Sequence, residues 1–151
     1  MNTPISTHHV GITVSSLDQW LSFLSAAFSL QPSNVLSSES PEVAVAVGLT
    51  RARARIAFLE LPDSSQIELI EYLEPRGRQF DRISSDIGAS HVCIEVPDID
   101  EAIVRLEAAG ASFFSPPVTI KGGNLAGWRF VYFREPTDGV VLELIQRGFS
   151  L

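Results

Sequence analysis

His9-Val10-Gly11-Ile12-Thr13-Val14 is echoed without gaps by His91-Val92-Cys93-Ile94-Glu95-Val96, an offset of 82 residues from position 9 to position 91. The correspondence runs on, with Asp18, Leu21 and Leu24 matching Asp100, Ile103 and Leu106. A second phrase recurs as Ile67-Glu68-Leu69-Ile70 and Leu142-Glu143-Leu144-Ile145. The chain is therefore read as two copies of one unit, each opening on a strand with a His and closing on a strand with a Glu. Because side chains alternate across a strand, Val10, Ile12 and Val14 take one face and His9, Gly11 and Thr13 the other. The same rule puts His91, Cys93 and Glu95 opposite Val92, Ile94 and Val96. His8 neighbours His9 but points the other way, and the apolar set favours His9 as the functional one.

Each opening strand leads into a helix. Ser16 and Gln19 stand at capping-box spacing, and Asp98 and Glu101 repeat that spacing. Leu17, Trp20, Leu21, Leu24 and Phe28 then form one apolar stripe, as do Ile99, Ala102, Ile103 and Leu106; Gly110 is a helix stop. Residues 37–41 read as a loop, and 43–49, 54–61 and 66–72 as strands, with Pro62-Asp63-Ser64-Ser65 turning between the last two. In the second copy, strands are expected near 112–115, 128–134 and 140–146, with Glu135-Pro136-Thr137-Asp138-Gly139 as a turn. The resulting organisation is a βαβββ module over 1–74, a polar, Arg-containing linker over 75–88 and a second βαβββ module over 89–151. The fold class is α+β, with the two modules pairing into a curved trough of sheet as one compact domain.

Composition bounds the function. The chain has 151 residues, 45% hydrophobic and 19% charged, which suits a globular domain. A net charge of −7 argues against a general nucleic-acid binder. A single cysteine excludes an intramolecular disulfide framework. No apolar run reaches the roughly 20 residues that span a bilayer, and no signal peptide is visible, so the chain reads as soluble, cytoplasmic and free of membrane.

Two His and two Glu on corresponding strands form a chemically complete ligand set. Imidazole with carboxylate suits Zn, Ni, Co, Mn or Fe(II) better than Ca or Mg. Four protein ligands on a six-coordinate ion leave two positions, which a small substrate with adjacent oxygens could fill. The ion would then stabilise an enediolate as a proton leaves carbon, with a glutamate as the base. A lone strand His or Glu is ordinarily structural. Here, however, each Glu interrupts an aliphatic run, where a carboxylate is costly to bury without a partner.

These pieces resemble the vicinal oxygen chelate superfamily, which includes glyoxalase I, methylmalonyl-CoA epimerase, extradiol dioxygenases and antibiotic-resistance proteins. The resemblance is carried by His9 to Val14 with Leu17-Asp18, Ile67-Glu68-Leu69, His91-Val92 with Asp98-Ile99-Asp100, and Phe133-Arg134-Glu135-Pro136 through Asp138-Gly139 to Leu142-Glu143-Leu144. It implies paired βαβββ modules, a divalent metal ion held by His9, Glu68, His91 and Glu143, and catalysis by Glu143 and Glu68, with Glu143 as the proton-transfer base. The activity it implies is a glyoxalase-like lyase or an isomerase/epimerase; the alternatives are an Fe(II) extradiol-type dioxygenase and a non-catalytic antibiotic-binding protein. Pro117 with Lys121-Gly122-Gly123 is similar to a loop of bacterial glyoxalase I, although those enzymes carry an Arg near the position of Thr13. The epimerases resemble Glu39-Ser40-Pro41-Glu42 and place a second acid on the strand that follows, at the register of Val47; Glu60 or Glu71 would have to substitute.

Lys121, Trp128 and Arg55 are the candidate substrate contacts. Arg51, Arg53 and Arg55 fall on one strand face and either hold an anionic tail or form a solvated edge protected by charge, the second reading being preferred. Arg76, Arg78 and Arg82 of the linker receive the same reading. Trp128, Phe130 and Tyr132 alternate along one face and either wall the pocket or, by preference, fill the core. Cys93 shares a face with His91 and is read as a small buried residue. The expected partners are a small-molecule substrate and, through open sheet edges, a second copy in a homodimer.

Overall fold

The computed structural model describes residues 6–79, 81 and 83–148. The chain divides into two compact units, residues 1–25 with 29–79, and 80–151 with 26–28. In chain order the first unit's elements are β1 (Val10–Thr13), α1 (Leu17–Phe28), β2 (Pro32–Ser38), α2 (Pro41–Ala46), β3 (Arg53–Glu60) and β4 (Gln66–Glu74). The second has β5 (Val92–Glu95), α3 (Ile99–Ala108), β6 (Ser112–Phe113), β7 (Val118–Thr119), a short 3-10 turn (Gly123–Leu125), β8 (Arg129–Arg134) and β9 (Val141–Gln146). The sheets have the orders β1-β4-β3-β2 and β5-β9-β8-β6, with β7 also pairing β8. In each, the opening strand lies parallel to the closing one, Gly11 beside Glu68 and Cys93 beside Glu143. The long connection between the two strands permits this, because a parallel neighbour cannot be joined by a tight turn. The class is α+β, as the repeat implied.

The helices begin where the sequence places them. The Ser16 side chain accepts the Gln19 N–H at 3.4 Å, and Asp98 Oδ1 accepts those of Asp100 and Glu101, both at 3.0 Å. Such caps satisfy N–H groups that have no partner within the helix. Leu17, Trp20, Phe23, Leu24 and Ala27 are buried on α1, and Ile99, Ala102 and Leu106 on α3. Also buried are Ala57, Leu59, Ile67 and Leu69 on the strands of the first unit and Val131, Phe133, Leu142 and Leu144 on those of the second. Each fully buried aliphatic of this kind contributes about 1.5–3 kcal/mol through lost water contact. Gly110 follows α3 at φ +96°, and a Cβ there would press on Pro136 at 3.3 Å.

Two expectations are corrected. Residues 43–49 are not a strand, because Pro41–Ala46 is helical. The alternating Val43, Val45 and Val47 mimic a strand, but Ser40 accepts the Val43 N–H at 3.3 Å, and Pro41 and Glu42 occupy the first turn. That arrangement is a helix start, and it outweighs valine's weak strand preference. Val47 is the C-cap of this helix and offers no strand register for a second acid. The strand is instead β2, earlier than expected and running into the residues read as a loop. It is a polar edge strand, opened by Pro32 and irregular between Pro32 and Val35, so it carries no alternation to read. Linker residue Arg82 lies outside the described residues. Among the described residues no helix is long and apolar enough to cross a membrane.

Candidate metal centre

In each unit the closing strand separates two roles by alternation. On β4, Ile67, Leu69 and Glu71 are buried toward the helix, and Glu68 lies on the opposite face. On β9, Leu142 and Leu144 are buried and Glu143 takes the opposite face. His9 stands just before β1, and its Nε2 lies 3.2 Å from Glu68 Oε2. His91 stands just before β5, and its Nε2 lies 3.0 Å from Glu143 Oε2. The glutamate side chains are only 15% and 12% exposed, whereas the histidines are 37% and 42% exposed, so each pair is anchored inside and open outside. His8 meets His9 through Nδ1 to Nδ1 at 2.9 Å, which fixes the ring and leaves Nε2 toward Glu68.

The chemistry of each pair is that of metal ligands, and both separations are also ordinary hydrogen-bond distances. Two ligand atoms each about 2.1 Å from an ion and at right angles are about 3.0 Å apart, close to both observed separations. Neutral imidazole and carboxylate also match the chemistry of a borderline transition-metal site. The structure brings His9 to Glu68 and His91 to Glu143; among the described residues no group of three or more His, Cys, Asp or Glu is gathered for an ion.

Around His91 and Glu143 the second unit adds polar groups. Tyr132 lies directly across from Glu143 in the β8–β9 ladder. Its ring meets His91 edge-on at 5.0 Å, and its hydroxyl is 3.4 Å from His91 Nε2. Burial, together with hydrogen bonding to the Glu143 carboxylate, raises the Tyr132 pKa. The Cys93 thiol is pushed up to about 12, first by partial desolvation and then by the adjacent Glu143. It is exposed, not the small buried residue expected, because its strand face is the one left open opposite the helix. Trp128 leads into β8, and Phe130 and Tyr132 lie on it. Their strand alternates with buried Val131 and Phe133, which leaves these three half-buried on the face of Glu143.

Of the substrate candidates, Arg55 is on β3 of the first unit, and Lys121 and Trp128 are at the two ends of the loop before β8 in the second, where Ile120 N–H donates to the Trp128 carbonyl at 2.8 Å. Arg55 lies on the helix side of its sheet, opposite Glu68. It forms a two-pronged pair with Asp18 (2.7 and 3.1 Å) and reaches Glu71 at 3.3 Å. Arg129 does the same with Asp100, at 2.7 and 2.8 Å. Glu71 also accepts the Leu17 N–H, so it holds the helix rather than standing in as a second base. Arg51 pairs with Glu74 at 2.8 Å. Trp128 carries the Arg147 guanidinium over its ring at 5.4 Å, and Lys121 is exposed beside the 3-10 turn. The sequence reading missed the Arg pairs of Asp18 and Asp100, although the repeat had already aligned the two aspartates.

The Glyoxalase/Bleomycin resistance protein/Dioxygenase superfamily profile matches residues 8–133. A 2-epi-5-epi-valiolone epimerase from Actinomyces is 36% identical over 149 residues, covering 93% of this chain and 79% of that protein. A glyoxalase family protein from Bacillus cereus has the same fold, with 27% identity, a TM-score of 0.80 and coverage of 98% and 97% of the two chains. The fosfomycin resistance protein FosX from Listeria monocytogenes, crystallised with Mn(II) and sulfate, shares the fold at 18% identity and a TM-score of 0.62, with 100% and 96% coverage. With its repeat, its two βαβββ units and these matches, the chain belongs to the glyoxalase/bleomycin resistance protein/dioxygenase superfamily.

Proposed function

We propose that the protein is a divalent-metal-dependent epimerase of a small ketone bearing a neighbouring hydroxyl, with His9, Glu68, His91 and Glu143 as the metal ligands. The observation that carries this reading is the coincidence of two His–Glu pairs, at 3.2 and 3.0 Å, with 36% identity to an epimerase across 93% of the chain. A bound divalent ion supplies Lewis-acid charge that makes a C–H beside a carbonyl easier to ionise. Glu143 accepts the proton from carbon, and Glu68, its counterpart in the first unit, takes part in its return. The histidines hold the glutamates in place, and the half-buried aromatics Phe130 and Tyr132 limit water beside Glu143. Arg55 and Arg129 are engaged by carboxylates, which suits a neutral polyhydroxylated substrate better than one carrying a phosphate.

The test is incubation of the Mn(II)-loaded protein with 2-epi-5-epi-valiolone in D2O, followed by proton NMR. The expected result is an epimer carrying deuterium at one carbon, lost on treatment with chelator and restored by Mn(II). Turnover that survives complete metal removal, or no exchange with this ketone and its stereoisomers, overturns the proposal.

A further inference from the structure

On the open face of the second unit, Glu143 has a charged neighbour outside the proposed ligand set. Glu95 shares the face of Cys93 on β5, and in the β5–β9 ladder Cys93 pairs with Glu143 and Glu95 with Ile145. One strand over and two residues along puts the Cα atoms of Glu95 and Glu143 about 8 Å apart, close to the width of a six-membered ring with its substituents. Arg147, just past β9, donates from Nε to Glu95 Oε2 at 3.0 Å, and its Nη2 lies 2.7 Å from the same oxygen. Its guanidinium carbon sits 5.4 Å from the centre of the Trp128 ring. The backbone fixes this cluster. A Cβ on Gly148 would meet the Gly127 carbonyl carbon at 2.9 Å, so the chain after Arg147 lies directly on the chain before Trp128. The duplication supplies a control. Arg129 pairs with Gln146 and Arg55 with Glu71 in their ladders, and both arginines hold a helix aspartate. Counted from these anchors and from the repeat, Glu95, Trp128 and Arg147 correspond to Thr13, Ala54 and Tyr72. The first unit builds the same sheet without the cluster, so the fold does not require it.

We propose that Glu95 and Arg147, backed by Trp128, form a subsite that reads neighbouring hydroxyls of the substrate, on the part of a polyhydroxylated ketone remote from its carbonyl. This rests on the epimerase reading above. The pair is neutral as a whole, which suits an uncharged polyol better than an anion. Both Arg147 contacts use one oxygen of Glu95, and a carboxylate and a guanidinium each have capacity for several more hydrogen bonds. One hydroxyl can donate to the carboxylate while its neighbour accepts from the guanidinium, and each such bond is charge-assisted. The side chains are 63% and 49% exposed, so the pair is accessible and contributes little to stability by itself. Trp128 steadies the guanidinium through its ring face.

The experiment measures steady-state exchange in D2O for the polyhydroxylated ketone of the preceding test. Glu95→Ala and Arg147→Met are each expected to raise KM about tenfold, the scale of one lost charge-assisted hydrogen bond, with the loss in KM rather than in kcat. A second ketone, 2-hydroxycyclohexanone, keeps the carbonyl and its neighbouring hydroxyl but offers the subsite nothing further to read. The ratio of kcat/KM for the polyol to that for 2-hydroxycyclohexanone is expected to fall about tenfold in both variants. A merely structural pair would weaken both ketones alike and keep that ratio. An unchanged KM, a loss confined to kcat, or equal losses for the two ketones overturns the subsite and leaves the epimerase reading intact. A wild-type protein that does not exchange the polyol overturns the epimerase reading and this inference with it.

Discussion

Glu71 and Gln146 hold equivalent places in the two units, and each accepts the first N–H of its unit's long helix, from Leu17 at 3.2 Å and from Ile99 at 3.0 Å. The helices are thereby hung from the strands that carry Glu68 and Glu143, three residues before each acceptor. Carboxylate and amide oxygens serve the N–H equally well. Only the carboxylate also answers a guanidinium, and Glu71 does so with Arg55.

Glu71→Gln is therefore expected to keep the helix hung and to lose only the charge pairing, a change of about 1 kcal/mol. Glu71→Leu removes the acceptor for a buried N–H and leaves Arg55 with one carboxylate fewer, for a loss of about 2–4 kcal/mol. Urea unfolding measures both. Equal losses in the two variants would show that the N–H acceptor is unimportant.

The paired aspartates give stability a pH dependence. The hydrogen bond and charge of Arg55 lower the Asp18 pKa below the ordinary 3.8, and those of Arg129 do the same for Asp100. A carboxyl depressed in the folded state stabilises fully above its ordinary value and ceases to do so as pH falls through the folded value. The stability gap between wild type and Asp18→Asn should be complete at pH 7 and close as pH drops below about 3.8. High salt should narrow it at pH 7, since both aspartates are exposed. A gap that persists unchanged at pH 2.5 would mean that Asp18 acts through packing rather than charge.

Glu135 is buried at 1% exposure and binds three backbone N–H groups, those of Thr137 and Asp138 at 2.6 Å and Val140 at 3.1 Å. Arg134 closes the same turn by donating to the Gly139 carbonyl at 2.7 Å. The turn between β8 and β9 is thus organised around one carboxylate, and it sets the register that brings Tyr132 opposite Glu143. Glu135→Ala leaves these donors without their acceptor and should cost about 2–4 kcal/mol, read as a lower denaturation midpoint. It should also lower Mn(II) uptake at temperatures where the fold persists. Full retention of both would place the register elsewhere.

Local features were legible in the sequence because their causes are local. Ser16, Asp98 and Gly110 act within one helical turn, and the repeat fixed both His-bearing strands. Residues 43–47 misled for a local reason too: the period of three valines was weighed above the Ser40-Pro41-Glu42 helix start. What could not be read was cross-strand. Phe58 lies ten residues before Glu68, and Tyr132 eleven before Glu143, so the longer second hairpin hides their equivalence until the ladders are seen. Arg55 is expected on a solvated edge strand, but β3 lies inside the sheet between β4 and β2, and the partner of Arg55, Asp18, is 37 residues away on a helix.

The proposed ligand set is open to a direct test of its two-unit origin. Ligand binding raises stability by about 2.7 kcal/mol at 100 times the dissociation constant, so Mn(II) should raise the melting temperature of the stripped protein measurably. Each of His9→Ala, Glu68→Gln, His91→Ala and Glu143→Gln removes one donor. Loss of an outer-shell partner already weakens metal binding about 10- to 100-fold, and loss of a ligand should cost at least that much. Both first-unit variants should therefore lose the Mn(II)-dependent rise at concentrations that saturate wild type, as should both second-unit variants. If His9→Ala and Glu68→Gln kept the full rise while the second-unit variants lost it, one His–Glu pair would suffice for the ion. His9 and Glu68 would then be a structural relic of the duplication, and the symmetry of the repeat would describe the fold but not the metal.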